Sequence, residues 1–172
     1  METTDALMCR RSVRRYAEGV VPDERLRAVV AAGLAAASGR GLRPWTLQVV
    51  RGTDDLVWLA ACRQGGAASM LAGASAAVLV WGHPQQADTW VEDCSLVMGN
   101  MMAQAASEGL GTCWVQARGR FAADGLSAGA YVAQRFSAPQ GAELECILSI
   151  GIPAQPPQPR TSDQLPWDRV IW

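Results

Sequence analysis

Asp88-Thr89-Trp90-Val91-Glu92-Asp93-Cys94-Ser95-Leu96-Val97-Met98-Gly99-Asn100-Met101-Met102-Ala103-Gln104-Ala105-Ala106-Ser107-Glu108 is the stretch around which the rest of the chain has to be arranged. Trp90, Cys94, Val97, Met98, Met101 and Ala105 recur at helical spacing and make one apolar stripe. Leu96, Met102 and Ala103 fall on other faces. A helix that is apolar nearly all round is either central in a fold or part of an interface. Gly99, Ala103, Ala105 and Ala106 leave room for a second helix to come close. Gly109 and Gly111 end the helix, and Thr112-Cys113-Trp114-Val115-Gln116 leads away as a strand.

Toward the N-terminus, Ser75-Ala76-Ala77-Val78-Leu79-Val80-Trp81 is apolar on both faces and predicts a buried strand. Asp54 to Cys62 predicts a short helix, and Thr46-Leu47-Gln48-Val49-Val50-Arg51 a strand. The loop Ser38-Gly39-Arg40-Gly41-Leu42-Arg43-Pro44-Trp45 precedes that strand. Pro22-Asp23-Glu24-Arg25 opens an earlier helix, with proline and acids in its first turn. Leu26, Val29, Val30, Gly33, Leu34 and Ala37 supply its apolar face, and Gly39 and Gly41 are expected to end it. Thr3-Thr4-Asp5-Ala6-Leu7-Met8 reads as a first short helix.

Toward the C-terminus, a weak helix is expected from Asp124 to Arg135 and a strand over Leu144-Glu145-Cys146-Ile147-Leu148-Ser149-Ile150. The tail from Gly151 to Trp172 has no helical period, and Pro153, Pro156, Pro157 and Pro159 impose an extended path. It ends in Trp167, Val170, Ile171 and Trp172, which need a surface to bury on; a partner subunit is a reasonable host. The order of elements describes one α+β domain over residues 1–172, with about four strands and no internal repeat.

At 172 residues such a domain buries roughly 70 % of its unfolded surface. The net charge is −1 and the pI about 5.8, so no overall field collects nucleic acid or an anionic membrane. Every basic residue except His83 is arginine, which removes any Schiff-base lysine. Five dispersed cysteines (Cys9, Cys62, Cys94, Cys113, Cys146) show no metal-type spacing and read as buried thiols in a reducing, cytoplasmic compartment. The longest apolar run, Ala67 to Trp81, is too short to span a bilayer, and no leader-type apolar segment opens the chain.

The other charges are scattered, but Cys9-Arg10-Arg11-Ser12-Val13-Arg14-Arg15-Tyr16 packs four guanidiniums and a hydroxyl into six residues. A guanidinium is a planar fork that fits two phosphate or carboxylate oxygens at once, and a serine adds a donor for a third. The segment leaves the end of the first helix and is suited to holding a phosphorylated ligand. A solvated basic face at a helix C-terminus is the equally weighted alternative.

Other chemistries find little support. A Ser-His-Asp hydrolase would have to use His83, which nothing places beside a nucleophile. No G-x-G-x-x-G follows a strand. Cys113 lacks a nearby base and reads as a buried strand thiol. Asn100 is expected to bond a neighbouring backbone.

Four pieces together resemble the FMN-dependent nitroreductase family. They are Arg10-Arg11-Ser12-Val13-Arg14-Arg15-Tyr16; Ala37-Ser38 leading to Pro44-Trp45; Asp93 to Ala106 running into Gly109-Leu110-Gly111-Thr112-Cys113-Trp114; and Ile150-Gly151-Ile152-Pro153 followed by Arg160. The resemblance implies a mixed, mostly antiparallel sheet of four to five strands flanked by helices, a long central helix, and a C-terminal arm on the partner subunit. It also implies a homodimer with FMN sites built from both chains. Arg10, Arg11, Ser12 and Arg14 would form the motif that holds the flavin, with Arg10 and Ser12 on the phosphate and Arg14 near the pyrimidine edge. Arg160 would join the phosphate, and Gln64 is a looser candidate for the pyrimidine edge. Trp114, Val115, Gln116 and Ala117 would lie against the ring, with the N–H of Gln116 or Ala117 reaching N5. Ser38, Gly39, Gly41 and Arg43 would come from the partner's loop.

The implied activity is a flavin reductase that takes hydride from NADH or NADPH and passes electrons to a nitro compound, quinone or other small acceptor. No protein acid or base is obligatory for that, and no metal is implied. Some residues depart from the family's pattern: Gly41 brings no side-chain amide, Gln116 and Gln158 stand where other residues are usual, and Arg43 stands where a neutral side chain is usual. Arg43 is expected to pair with Asp54 or Asp55 at the surface, with recognition of an anionic substrate as the alternative. The departures keep a second class open, a non-redox or degenerate flavin-binding protein such as an FMN carrier or partner subunit.

Overall fold

The computed structural model describes residues 2–172, so only Met1 of the expected 1–172 domain lies outside the described residues. Helix α1, Thr3–Cys9, is closed by the N–H of Arg10 on the Ala6 carbonyl (3.0 Å). Helix α2 runs over Asp23–Leu34, strand β1 over Trp45–Val50 and helix α3 over Thr53–Leu59. Strand β2, Ala76–Gly82, is buried at every position. Helix α4, Trp90–Ser107, is followed by strand β3, Gly111–Gln116, helix α5, Ala128–Ala133, and strand β4, Glu143–Gly151.

The four strands form one antiparallel sheet in the order β1-β2-β4-β3. Its only parallel element among the described residues is a bridge from Ser12 to Thr112, which lays the arginine segment along the outer edge of β3. Leucines and valines of alternate positions face two cores. Val78, Val80, Leu148 and Ile150 meet Val29 of α2 and Val97, Met98 and Met101 of α4. Leu79, Trp81, Ile147 and Val115 meet Leu56 and Leu59 of α3, Val132 of α5, and Leu71 of the 3-10 turn Ser69–Gly73. A Cβ on Gly33 would lie 2.8 Å from Met101 Cγ, so glycine there lets α2 seat closely on α4.

The central helix is less enclosed than its sequence implies. Cys94, Val97, Met98, Met101 and Ala105 are fully buried, but Leu96 is 49 % exposed and Gly99 and Asn100 face outward. Asn100 Nδ2 donates to the Ala32 carbonyl (3.2 Å), the backbone bond expected of it.

Several boundaries differ from the sequence reading. Helix α2 stops at Leu34 rather than running to Gly39, which lets Ala36 turn into the core at 6 % exposure. Helix α5 starts at Ala128 instead of Asp124, because Asp124 bonds the N–H of Leu126 in a turn and Ser127 caps the helix through Ala130 N (3.1 Å). Strand β1 ends before Arg51, whose guanidinium turns to Asp23 and the Val21 carbonyl. The tail is extended apart from two short 3-10 turns, Ser162–Gln164 and Trp167–Arg169. No helix among the described residues is long and apolar enough to cross a membrane. All five cysteines are free; Cys9 is half-buried and the others buried.

Candidate functional site

Beyond α1 the arginine segment is tied down by backbone. Val13 N–H donates to the Thr112 carbonyl (2.8 Å), Ala17 N–H to Ile152 (2.8 Å), and Ala154 N–H to Arg15 (3.0 Å). Gly111 and Gly151 face each other across β3 and β4. A Cβ on Gly111 would meet Val13 Cγ1 at 2.8 Å, and one on Gly151 would meet Tyr16 Cδ1 at 2.6 Å. The segment therefore rides over a pair of glycines that have no side chain to lift it. The Tyr16 hydroxyl lies 2.7 Å from Ser149 Oγ and donates toward the Val13 carbonyl (3.1 Å), while Ser149 donates to the Cys113 carbonyl (3.2 Å). Burial pushes the Tyr16 phenol far above its usual range, so it stays a neutral tether.

The guanidiniums separate by role. Arg11 Nη1 turns back onto the carbonyls of Met8 (2.8 Å) and Arg10 (2.9 Å), capping α1, so that nitrogen is committed to the helix end. Arg160 enters from the tail, its N–H on the Met8 carbonyl (2.9 Å). Burial holds the Arg10 guanidinium below its ordinary range, and the charges of Arg160 and then Arg11 push the same way. Ion pairs among the described residues are Arg40–Asp88, Arg51–Asp23, Arg118–Glu145 and Arg135–Asp55; none takes Arg10, Arg14 or Arg160. Cations gathered with no acidic partner supply the donors and charge that an anion requires. Arg14 and Ser12 lie at Cys113: burial raises that thiol, while the Arg14 charge and the Ser12 hydroxyl oppose the rise.

At its far end β3 carries a second arrangement. The Thr112 carbonyl points away from β4, so by the alternation of the ladder the N–H groups of Trp114 and Gln116 also point to the open edge. The Ala117 and Arg118 N–H groups are both on the Glu145 carbonyl (3.1 and 3.0 Å). Of the two amides proposed to reach a ring nitrogen, Gln116's is therefore open and Ala117's engaged. The Val115 side chain is wholly buried in the α3-side core. Gln116 Oε1 accepts from Trp114 Nε1 (2.9 Å), and its Nε2 donates to Glu145 Oε1 (3.1 Å). Glu145, 2 % exposed, takes Arg118 Nε on its other oxygen at 2.6 Å. Arg118 lies 5.9 Å from the ring centre of Trp90. Glu145, Arg118 and Trp90 are absent from the sequence-derived site; a lone glutamate inside the apolar run of β4 was the signal available.

The loop before β1 sits at the other end of α4 from the arginines. Gly39 N–H donates to Asp93 Oδ1 (2.9 Å), Thr89 Oγ1 donates to Asp93 Oδ2 (3.0 Å), and Arg43 N–H donates to Ser38 Oγ (2.9 Å). Arg40, Gly41 and Arg43 all have positive φ (54, 71 and 51°). An 18-residue helix is roughly 27 Å long, so the chain does not bring its own loop to Arg10. Arg43 forms no pair with Asp54 or Asp55: those acids follow the opposite end of β1, and Asp55 holds Arg135 Nε at 2.6 Å. Gln64 sits in a 3-10 turn with its N–H on the Phe121 carbonyl (2.9 Å) and its side chain exposed, with no hydrogen bond to the arginine segment.

The sequence matches the profile of the "Nitroreductase family" over residues 7–61 and 57–152. It is 29 % identical over 173 residues to a "Putative NADH dehydrogenase/NAD(P)H nitroreductase" of Methanothermobacter thermautotrophicus, covering 99 % of this chain and 86 % of that protein. Among solved structures, an FMN-dependent nitroreductase of Clostridium difficile R20291 superposes with a TM-score of 0.92 at 32 % identity, over 98 % of this chain and 97 % of that one. A nitroreductase with bound FMN from Bacteroides fragilis has the same fold, with a TM-score of 0.78 at 22 % identity over 100 % of this chain and 99 % of that one.

Proposed function

The chain belongs to the nitroreductase family, and on that premise we propose that it is an FMN-dependent oxidoreductase taking hydride from NADH or NADPH and passing electrons to a nitro compound, quinone or similar small acceptor. The observation that carries this reading is the approach of Arg160 to Arg10, without an acidic partner among the described residues, beside the backbone bridge that lays Ser12 on the edge of β3. That donor set fits a phosphate dianion, and the open Gln116 N–H fits a hydrogen-bond acceptor on a ring lying along the same edge.

In this reading Arg10, Ser12 and Arg160 hold the phosphate. Arg11 supports them by fixing the end of α1, and Arg14 holds the pyrimidine edge. Trp114 and Gln116 line the ring side, Val115 and Ala117 support the strand from behind, and Gln64 is an outer contact. FMN, when bound, supplies hydride acceptance and electron transfer. The chain's own contribution is positioning, which brings reacting atoms to about 3–3.5 Å without a titrating side chain.

The functional unit is a homodimer. Leu96 and Gly99 on the outward face of α4, and Ile171 and Trp172 at 99 % and 95 % exposure, supply apolar surface for a second copy. The partner's loop, Ser38, Gly39, Gly41 and Arg43, then completes each site, with Arg43 unpaired and turned to substrate rather than to an acid of its own chain. Five free thiols fit a reducing cytoplasm.

The deciding experiment is a visible spectrum of freshly purified protein, followed by NADH and NADPH oxidation with a nitroaromatic acceptor. A flavin spectrum and acceptor-dependent oxidation are expected. A colourless protein that takes up no added FMN overturns the reading, and a yellow protein that oxidises neither nicotinamide overturns the reductase activity alone.

A further inference from the structure

Glu145 is buried, yet it is a hub of polar contacts at the end of β3. Its carbonyl holds the N–H groups of Ala117 and Arg118, and its carboxylate holds Gln116 Nε2 (3.1 Å) and Arg118 Nε (2.6 Å). The orientation of Gln116 follows from donor chemistry. An indole N–H only donates and a carboxylate only accepts, so the amide oxygen faces Trp114 and its nitrogen faces Glu145. The amide oxygen and nitrogen of the Gln116 side chain are thereby engaged, and its main-chain N–H remains as the donor offered to the open edge.

The two charges of the pair are not equally screened. The Glu145 side chain is 3 % exposed and that of Arg118 is 47 % exposed, close against the Trp90 ring. A carboxylate in that position has its charge balanced by one guanidinium and one amide. Removing one charge of the pair leaves the other uncompensated beside Gln116, on Arg118 two residues along the chain or on the Glu145 carboxylate 3.1 Å from Gln116 Nε2.

We propose that Arg118 and Glu145 are a positioning pair that aims the Gln116 N–H and, by cancelling each other's charge, sets the redox potential of the flavin site. This rests on the flavin reading above. A reduced flavin carries added negative charge. Glu145→Gln leaves the Arg118 cation uncompensated and favours reduction, whereas Arg118→Gln leaves the carboxylate uncompensated and disfavours it. Simple loosening of the strand has no reason to give shifts of opposite sign.

The test is spectroelectrochemical titration of the FMN-loaded protein, with the parent beside Glu145→Gln, Arg118→Gln and Arg118→Lys. Each charge-breaking variant should shift the reduced-to-oxidised ratio at fixed potential about tenfold, or about 30 mV for a two-electron couple, up for Glu145→Gln and down for Arg118→Gln. Arg118→Lys should stay near the parent. If Glu145→Gln fails to fold, the Arg118 variants decide, since that side chain is half-exposed. Shifts of the same sign, or an Arg118→Gln protein at the parent potential, overturn the proposal while leaving the flavin reading intact. A parent that binds no FMN overturns both.

Discussion

Arg10 and Arg14 share one extended segment, yet the fold gives them different neighbours, Arg160 for the first and Cys113 for the second. Their substitutions should therefore be separable. Arg10→Ala is expected to weaken FMN binding by about 1.5–3 kcal/mol, roughly 10- to 150-fold, and added FMN should restore turnover. Arg14→Ala should lower the flavin midpoint potential by tens of millivolts if its charge is worth about 1 kcal/mol or more, and added FMN should not restore the rate. Equilibrium titration of flavin fluorescence and a potentiometric titration distinguish the two. If both variants match the parent, the arginines are only a solvated face. Tyr16 belongs to the same scale: Tyr16→Phe removes the hydroxyl shared with Ser149 and Val13 and should cost about 0.5–1.5 kcal/mol, read as a lower Tm.

The site stands where elements approach more closely than side chains allow. Tyr16 crosses Gly151 and Val13 crosses Gly111, so the arginine segment is seated by two strands at once. Gly151→Ala must move the Tyr16 ring, and with it the chain that carries Arg14. Thermal melts should show a loss of about 1–3 kcal/mol, and FMN affinity should fall although no ligand-holding side chain has changed. Unchanged affinity would show that segment and sheet are not coupled. On the opposite end of α4, buried Asp93 holds the Gly39 N–H and the Thr89 hydroxyl together. Asp93→Ala leaves both donors unpaired. It should cost about 1–3 kcal/mol for each one that water does not reach, and faster proteolysis within residues 38–43 would report the freed loop.

For the whole molecule, the buried thiols link stability to pH. Burial pushes Cys62 up to about 11 and Cys94 up to about 12, the latter helped by the charges of Glu145 and Asp93. A raised folded pKa means that the folded state holds the proton more tightly. The stabilisation is complete below the ordinary thiol range and is lost as pH climbs from about 9 toward 11 and 12. The unfolding free energy from denaturant titration should be flat below that range and fall by several kcal/mol across it, and Cys94→Ala should reduce the fall. Assembly gives the second prediction at this scale. Deleting Gln164–Trp172 removes two tryptophans and Ile171, each worth about 1.5–3 kcal/mol if buried on a partner. Light scattering should then show dimer weakening, and an unchanged mass and Tm would make the tail dispensable.

Local pattern was enough to place the elements. The apolar run of β2, the stripe of α4 and the glycines after it depend only on period and on which residues break it, so they could be read one segment at a time. The clustering of Arg10, Ser12 and Arg14 was legible for the same reason, being contiguous in the chain. Contacts between distant segments were not. That Asp55 is taken by Arg135 rather than by Arg43, and that Ala117's N–H belongs to Glu145, are each decided by a partner brought in from elsewhere. Glu145 is the clearest case. One strand shows only a glutamate among apolar residues. Its role follows from burial, where a carboxylate must gather cationic and amide donors, and those came from a neighbouring strand end that only the closed sheet puts within 3 Å or so.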